Sequence, residues 1–311
     1  MKKTLFLVAI AAIIFSSCKK EHSATKVPAK KYKVTFNVAN FNQRQAAFAL
    51  RHNARQLASD TITNLNSYLD VLYLVAYDDI GHAIPFAIRQ DSTMSNMGTI
   101  TDNLPAGNYQ IFIVAGKNGL ELDNYAQTAT SSYGYGGYVW QDTFSDVFPI
   151  TVGNGDISQN VTLSRTVGKL EVTILDNIPA NVKSLTVTIN PEIFSVNYDS
   201  AEIDFDAPSP SPITFTVAIP ASAIGNPNFT IDRIIGNTSL PFGVSITCQD
   251  ANSLTIDSAS VSNVVCQKNM KTILSGHLFS GSASAPQSFT AQIDTAWSSG
   301  GTQVGFSLRR H

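Results

Sequence analysis

Apolar and polar residues alternate with period 2 along most of this chain, the signature of half-buried β-strands. In KYKVTFNVANF, Tyr32, Val34, Phe36 and Val38 share one face, and Lys33, Thr35 and Asn37 share the other. VLYLVAYD (Val71 to Asp78) is apolar almost without a break, as expected of a strand covered on both faces. NLPAGNYQIFIVAG places a turn at Pro105-Ala106-Gly107 ahead of a strand from Tyr109 to Ala115. FPITVGNGDISQNVTLSR holds two short strands divided by the turn signal Gly153-Asn154-Gly155. Between Phe41 and Tyr68 the alternation lapses, and the Ala, Gln, Arg and Leu there suit one or two helical turns.

After Arg165 the alternation restarts. VGKLEVTILDNIPANVKSLTVTI sets Leu170, Val172 and Ile174 against Leu185, Val187 and Ile189 across a Pro-bearing turn, a new first hairpin. PITFTVAIP adds Ile213, Phe215, Val217 and Ile219, and FGVSITC adds Phe242, Val244, Ile246 and Cys248. MKTILSGHLF and SFTAQIDTAW close the pattern. The predicted fold is all-β: two β-sandwich domains in tandem, 31–163 and 164–311, meeting near Ser164.

The N-terminus departs from this pattern. The apolar run Leu5 to Phe15 spans 11 residues, too short for the roughly 20 that a membrane-crossing helix needs. It follows the basic start Met1-Lys2-Lys3 and ends in Phe15-Ser16-Ser17-Cys18, the layout of an export signal. The ending resembles the bacterial lipobox, with Phe15 where Leu is preferred. Residues 1–17 then form a lipoprotein signal peptide, and Cys18 is the lipidation site. Two acyl chains, at about 0.8 kcal/mol per buried methylene, hold a protein on a membrane durably. The competing reading is an ordinary signal peptide with an incidental cysteine. Residues 18–30 read as a flexible basic tether.

Composition narrows the function. Charged residues make up 14% of the chain, and the net charge of −2 hides an asymmetry. Eight of the 21 basic residues lie at or before Lys33, leaving 13 basic and 22 acidic residues in the body, a formal charge of −9. Nucleic-acid binding needs clustered Lys and Arg and is excluded. Lys19, Lys20, Lys26, Lys30, Lys31 and Lys33 suit either adhesion to anionic headgroups or a solvated stem.

LSRTVGKLEVTILDNIPANVKSLTVTI, KNMKTILSGHLFSG and the final FTAQIDTAW resemble the C-terminal domain of the fimbrillin-A-associated anchor and minor subunits of Bacteroidetes type V pili. LYLVAYDDIGHAI and LPAGNYQIFIVAGKNG are similar in rhythm to the first domain of that family. The resemblance implies transthyretin-like sandwiches, a lipidated N-terminus in the outer membrane exposed at the cell surface, other fimbrial subunits as partners, and no enzymatic activity. Lys19 and Lys20 differ from the acidic residues expected of a surface-export tag in this lineage. Asp-Ser/Thr tripeptides are similar to the O-glycosylation sequon of exported Bacteroidetes proteins, with Thr61, Ser92, Ser200, Ser258 and Thr295 as acceptors. They are also ordinary turn and strand-end pairs.

The family resemblance further implies assembly by strand exchange: a protease cuts after an Arg behind the first strand, and a neighbour's segment fills the vacated groove. Tyr32 to Val38 is the corresponding strand here, followed by Arg44, Arg51 and Arg55. An anchor would keep this strand, because losing it would detach the lipid. The same arginines also suit a solvated loop.

Other chemistry is sparse. His22, His52, His82, His277 and His311 lack paired zinc spacing, and no nucleophile elbow, phosphate loop or dinucleotide fingerprint occurs. No cofactor is expected. Glu202, Asp204 and Asp206 in AEIDFDAP would share one strand face, a weak calcium candidate without the curved loop such a site needs. In SSYGYGGYVWQDTF (131–144), Tyr133, Tyr135, Tyr138 and Trp140 either contact a partner or cover the core. On the first of these readings the chain is instead a surface glycan- or ligand-binding lipoprotein. Cys248 and Cys266 remain as a candidate disulfide or as buried small hydrophobes.

Overall fold

Among the described residues, strand forms where the alternation is regular. The computed structural model describes residues 29–42, 65–78, 83–123, 132–135, 139–193, 195–197, 211–279 and 289–294. The first half contributes β1 (Lys31–Asn42), β2 (Val71–Asp78), β3 (Ala83–Asp91), β4 (Thr99–Pro105), β5 (Gly107–Gly116), β6 (Leu120–Asp123), β7 (Ser132–Tyr135), β8 (Thr143–Val152) and β9 (Ile157–Arg165). The second contributes β10 (Gly168–Ile174), β11 (Ser184–Glu192), β12 (Ser195–Asn197), β13 (Ser211–Ala218), β14 (Phe229–Ile235), β15 (Phe242–Gln249), β16 (Thr255–Val264), β17 (Lys271–Gly276) and β18 (Phe289–Asp294). The predicted helical stretch falls mostly at 43–64, outside the described residues; at its margins Phe41 and Asn42 are strand and Leu65–Ser67 is a single 3-10 turn.

Seven strands pair in the order β3-β2-β5-β8-β9-β1-β4. Only Phe144↔Arg165 and Ser145↔Ser164 join β8 to β9, so the ladder folds over at that seam. Its β3-β2-β5-β8 and β9-β1-β4 halves enclose one core of Val34, Phe36, Leu72, Leu74, Ile100, Ile111, Ile113, Val161 and Leu163 among others. The Gly153-Asn154-Gly155 turn therefore links two layers and does not close a tight hairpin, because β8 spends its length on β5.

The second half forms two four-stranded sheets, β14-β10-β17-β18 and β13-β11-β15-β16, around another core that includes Leu170, Val172, Val187, Ile246 and Leu274. Outward positions on neighbouring strands carry hydroxyl pairs: Thr186 with Thr216 at 2.9 Å, Thr188 with Thr214 at 2.9 Å, and Ser245 with Ser260 at 3.1 Å. Such cross-strand pairs add about 0.2–1 kcal/mol each. They bring no charge to the sheet face.

The unbroken apolar run of β2 is explained by a third core. Leu72, Leu74 and Ala76 face the first sandwich, while Val71, Tyr73, Val75 and Tyr77 face outward. There they meet Phe112, Val114, Leu120, Leu122, Trp140, Val167 and Ile193. A three-stranded sheet, β12-β7-β6, spans this region and draws strands from both halves of the sequence. The outer face of β2 and β5 is thus buried where a free-standing sandwich would be wet.

Candidate functional site

β1 is an interior strand. It runs parallel to β9 and antiparallel to β4, with Lys31 to Asn37 paired to β4 throughout. At Val38 the β4 ladder ends: the Val38 N–H donates to the carbonyl of Gly98 at 2.8 Å, and a register shift follows on the β9 side. Among the described residues, Asn40 to Asn42 are then paired with β9 alone. Gly98 has φ +90°, which a side chain would strain. Gln90 holds it in place: its Oε1 accepts from Gly98 N–H at 2.9 Å and its Nε2 donates to the Thr99 carbonyl at 2.9 Å.

Inward from β1, Val34, Phe36 and Val38 are 1%, 3% and 3% exposed. Phe36 meets Phe148 edge-on, with centroids 5.7 Å apart. Burying each such side chain stabilises by about 1.5–3 kcal/mol. Were β1 absent, β9 and β4 would both present unpaired backbone groups flanking three apolar sockets. That is the arrangement another extended chain completes by β-augmentation.

A second constellation lies at the joint of the two halves. Arg165, the last residue of β9, is buried and grips Asp142 with two parallel bonds, Nε to Oδ1 at 2.5 Å and Nη2 to Oδ2 at 2.8 Å. Its Nη1 donates to Asn269 Oδ1 at 2.8 Å, and its guanidinium sits 5.1 Å from the Phe144 ring centroid. The bidentate fork supplies both orientation and energy. Nearby, Trp140 donates its indole N–H to the Ile193 carbonyl. Glu192 Oε1 accepts from the backbone N–H groups of Ile193 and Asn237, each at 2.8 Å. Burial pushes the Glu192 acid up to about 7, against the opposing pull of those N–H donors and of Arg233. Burial likewise lowers Arg233, whose guanidinium lies 4.6 Å from the Phe215 centroid.

Of the two readings of the aromatic stretch 131–144, Trp140 follows the second: it is 4% exposed and packs in the third core. Apolar side chains from both halves surround it, and its N–H is already used. Tyr133 and Tyr135 lie on β7, paired with Val196 and Leu120 respectively; Tyr138 lies outside the described residues.

Of the two readings of Cys248 and Cys266, the structure has the second: both are free, buried thiols. Cys248 Sγ points to the Asp257 carbonyl at 3.2 Å, and Cys266 Sγ to the Lys169 carbonyl at 3.9 Å, in the other sheet of the sandwich. Burial pushes these thiols up to about 11 and about 12.

Of the candidate glycan acceptors, Ser92 is half-buried in the turn after β3, and Ser258 is exposed on the edge strand β16. Cys18, Arg44, Arg51, Arg55, Thr61, Ser200, Glu202, Asp204, Asp206 and Thr295 lie outside the described residues. Among the described residues no group of three acidic, His or Cys side chains converges as a metal site.

Sequence reasoning passed over Arg165, Asp142, Asn269, Glu192 and Asp102. The signal was a charge at an inward position. Arg165 continues the stripe of Val161 and Leu163, and Asp102 sits between the buried Ile100 and Leu104. A charge in an apolar stripe implies a specific partner or a functional cost.

No family model and no curated protein matches the sequence. Solved structures do resemble it. A candidate polysaccharide-binding protein from Bacteroides thetaiotaomicron aligns with a TM-score of 0.54 at 10% identity, over 79% of this chain and 92% of that one. A candidate cell adhesion protein from Bacteroides eggerthii aligns at 0.51 with 8% identity, over 86% and 96%. The fimbrial anchor protein Mfa2 from Porphyromonas gingivalis aligns at 0.50 with 12% identity, over 85% and 98%. At these identities the likeness establishes the fold: the chain has the all-β sandwich architecture of these Bacteroides and Porphyromonas proteins.

Proposed function

We propose that this chain is a non-enzymatic, lipid-anchored subunit of a cell-surface fibre, an anchor or a minor or tip subunit, joined to its neighbours by β-strand complementation. The observation that carries the reading is the seat of β1, a single 12-residue strand held between β9 and β4 above three apolar sockets. Its fold likeness to the fimbrial anchor Mfa2 and to candidate adhesins supports the same reading. In this reading Cys18 carries the lipid in the outer membrane, residues 31–163 and 164–311 are the two working domains, and β1 tethers the first domain to the lipid. Cleavage after Arg44, Arg51 or Arg55 would free β1 from the body, so an anchor keeps that segment intact. An O-glycan on Ser258 would decorate the exposed face of the edge strand β16.

The test is to crosslink the native protein on intact cells, purify it through a C-terminal tag and identify what comes with it. Other β-sandwich lipoproteins or a polymeric ladder are the expected result. Recovery of an outer-membrane transporter or of polysaccharide alone would overturn the proposal.

A further inference from the structure

The seat of β1 is imperfect at one point. Asp102, on the edge strand β4, is the direct cross-strand partner of Val34 and faces inward with it. Its Oδ2 is buried and has no hydrogen-bond partner among the described residues. It lines a cavity of about 10 Å³ together with Val34, Phe36, Leu74, Ile88 and Ile111. A buried oxygen without a donor costs as much as a lost hydrogen bond, and a void forfeits the contacts of its lining. Both penalties lie under the same residue of β1.

We infer that the groove is built for a strand with a small hydroxyl at the place of Val34, and that β1 occupies it as a second-best ligand. The preferred occupant is an extended segment with the apolar alternation of β1 but Ser or Thr opposite Asp102. Directly paired residues on one sheet face have Cβ atoms about 4.5–5.5 Å apart, within reach of an O–H···O bond of about 2.7 Å. Thr has nearly the shape of Val, so the apolar contacts would survive the exchange. In an ordinary core the same Val-to-Thr change is unfavourable because the hydroxyl is buried without a partner. The inference rests on the strand-complementation reading for its biological meaning, but its chemistry stands on the intact chain.

The experiment separates the two. In the full-length protein, Val34→Thr is expected to raise Tm by about 2–4 °C, and the gain should reverse in sign when Asp102→Leu is added. A lower Tm for Val34→Thr whatever stands at 102 would overturn the inference and leave the complementation reading untouched. Next, the full chain is nicked between β1 and β2 and challenged with two 12-residue peptides, KYKVTFNVANFN and KYKTTFNVANFN. The Thr peptide is expected to replace β1 at least ten times faster. If Val34→Thr stabilises the intact chain but neither peptide exchanges, strand complementation fails at this groove and the inference about a preferred incoming strand falls with it. Equal exchange by both peptides would overturn the preference alone.

Discussion

Trp140 lies against Gly236 so closely that a single methyl group on residue 236 would overlap its indole ring. The two residues come from opposite halves of the chain, and the same indole donates to the carbonyl of Ile193. The third core is therefore assembled around one aromatic ring with a glycine cut to fit it.

Gly236→Ala is expected to destabilise the protein by about 1–3 kcal/mol, the usual range for overpacking a dense core. Trp140→Ala should cost about 3–5 kcal/mol through the cavity it leaves. Denaturant midpoints measured on both variants check this. Wild-type stability for either would mean the third core does not hold in solution.

Arg165→Ala is expected to cost about 3–5 kcal/mol, because it leaves Asp142 and Asn269 without the donors that the guanidinium supplies. Arg165→Lys should recover little of this, since an ammonium cannot make the two-pronged contact. Thermal melts of the two variants side by side decide the point. A Lys variant that melts with the wild type would show that charge alone suffices.

Glu192 makes stability fall with rising pH. Its acid is held at about 7 in the fold against an ordinary 4.5, so the folded state favours the protonated form. The stabilising difference is fully present below about 4.5, shrinks as pH rises through 7, and is absent above that range. Glu192→Gln mimics the protonated acid. The Tm difference between variant and wild type should widen in the variant's favour from pH 4.5 to 7.5. A difference independent of pH would dismiss the assignment.

Cys248 and Cys266, both buried, should resist alkylation in native buffer at pH 8 and react fully after denaturation. A mass spectrum shows the added groups directly. Loss of two hydrogens from the unalkylated chain would instead reveal a bridge.

How far the sequence carried this structure depends on the strand. Alternation alone identified the inward residues of β1, β10, β11 and β15, because a period of 2 assigns each side chain to a face. The unbroken run of β2 foretold burial on both sides. Which surface buries it was not written there: Trp140, Val167 and Ile193 reach β2 only through the tertiary arrangement. The same holds for the Gly153-Asn154-Gly155 turn, which looks like a hairpin but joins two layers, since local turn chemistry does not say which ladder a strand enters.

The sequence by itself determined the all-β class and the faces of its strands, for these are properties of neighbouring residues along one chain. Only the tertiary structure decided that β1 is an interior strand, that Trp140 is buried, that the two cysteines stay apart and that Arg165 meets Asp142 and Asn269. In these contacts Arg165 reaches across 23 positions to Asp142 and 104 to Asn269, and Val34 across 123 to Ile157. Free energy selects them from the way the layers pack as a whole, and no short window of sequence contains that choice.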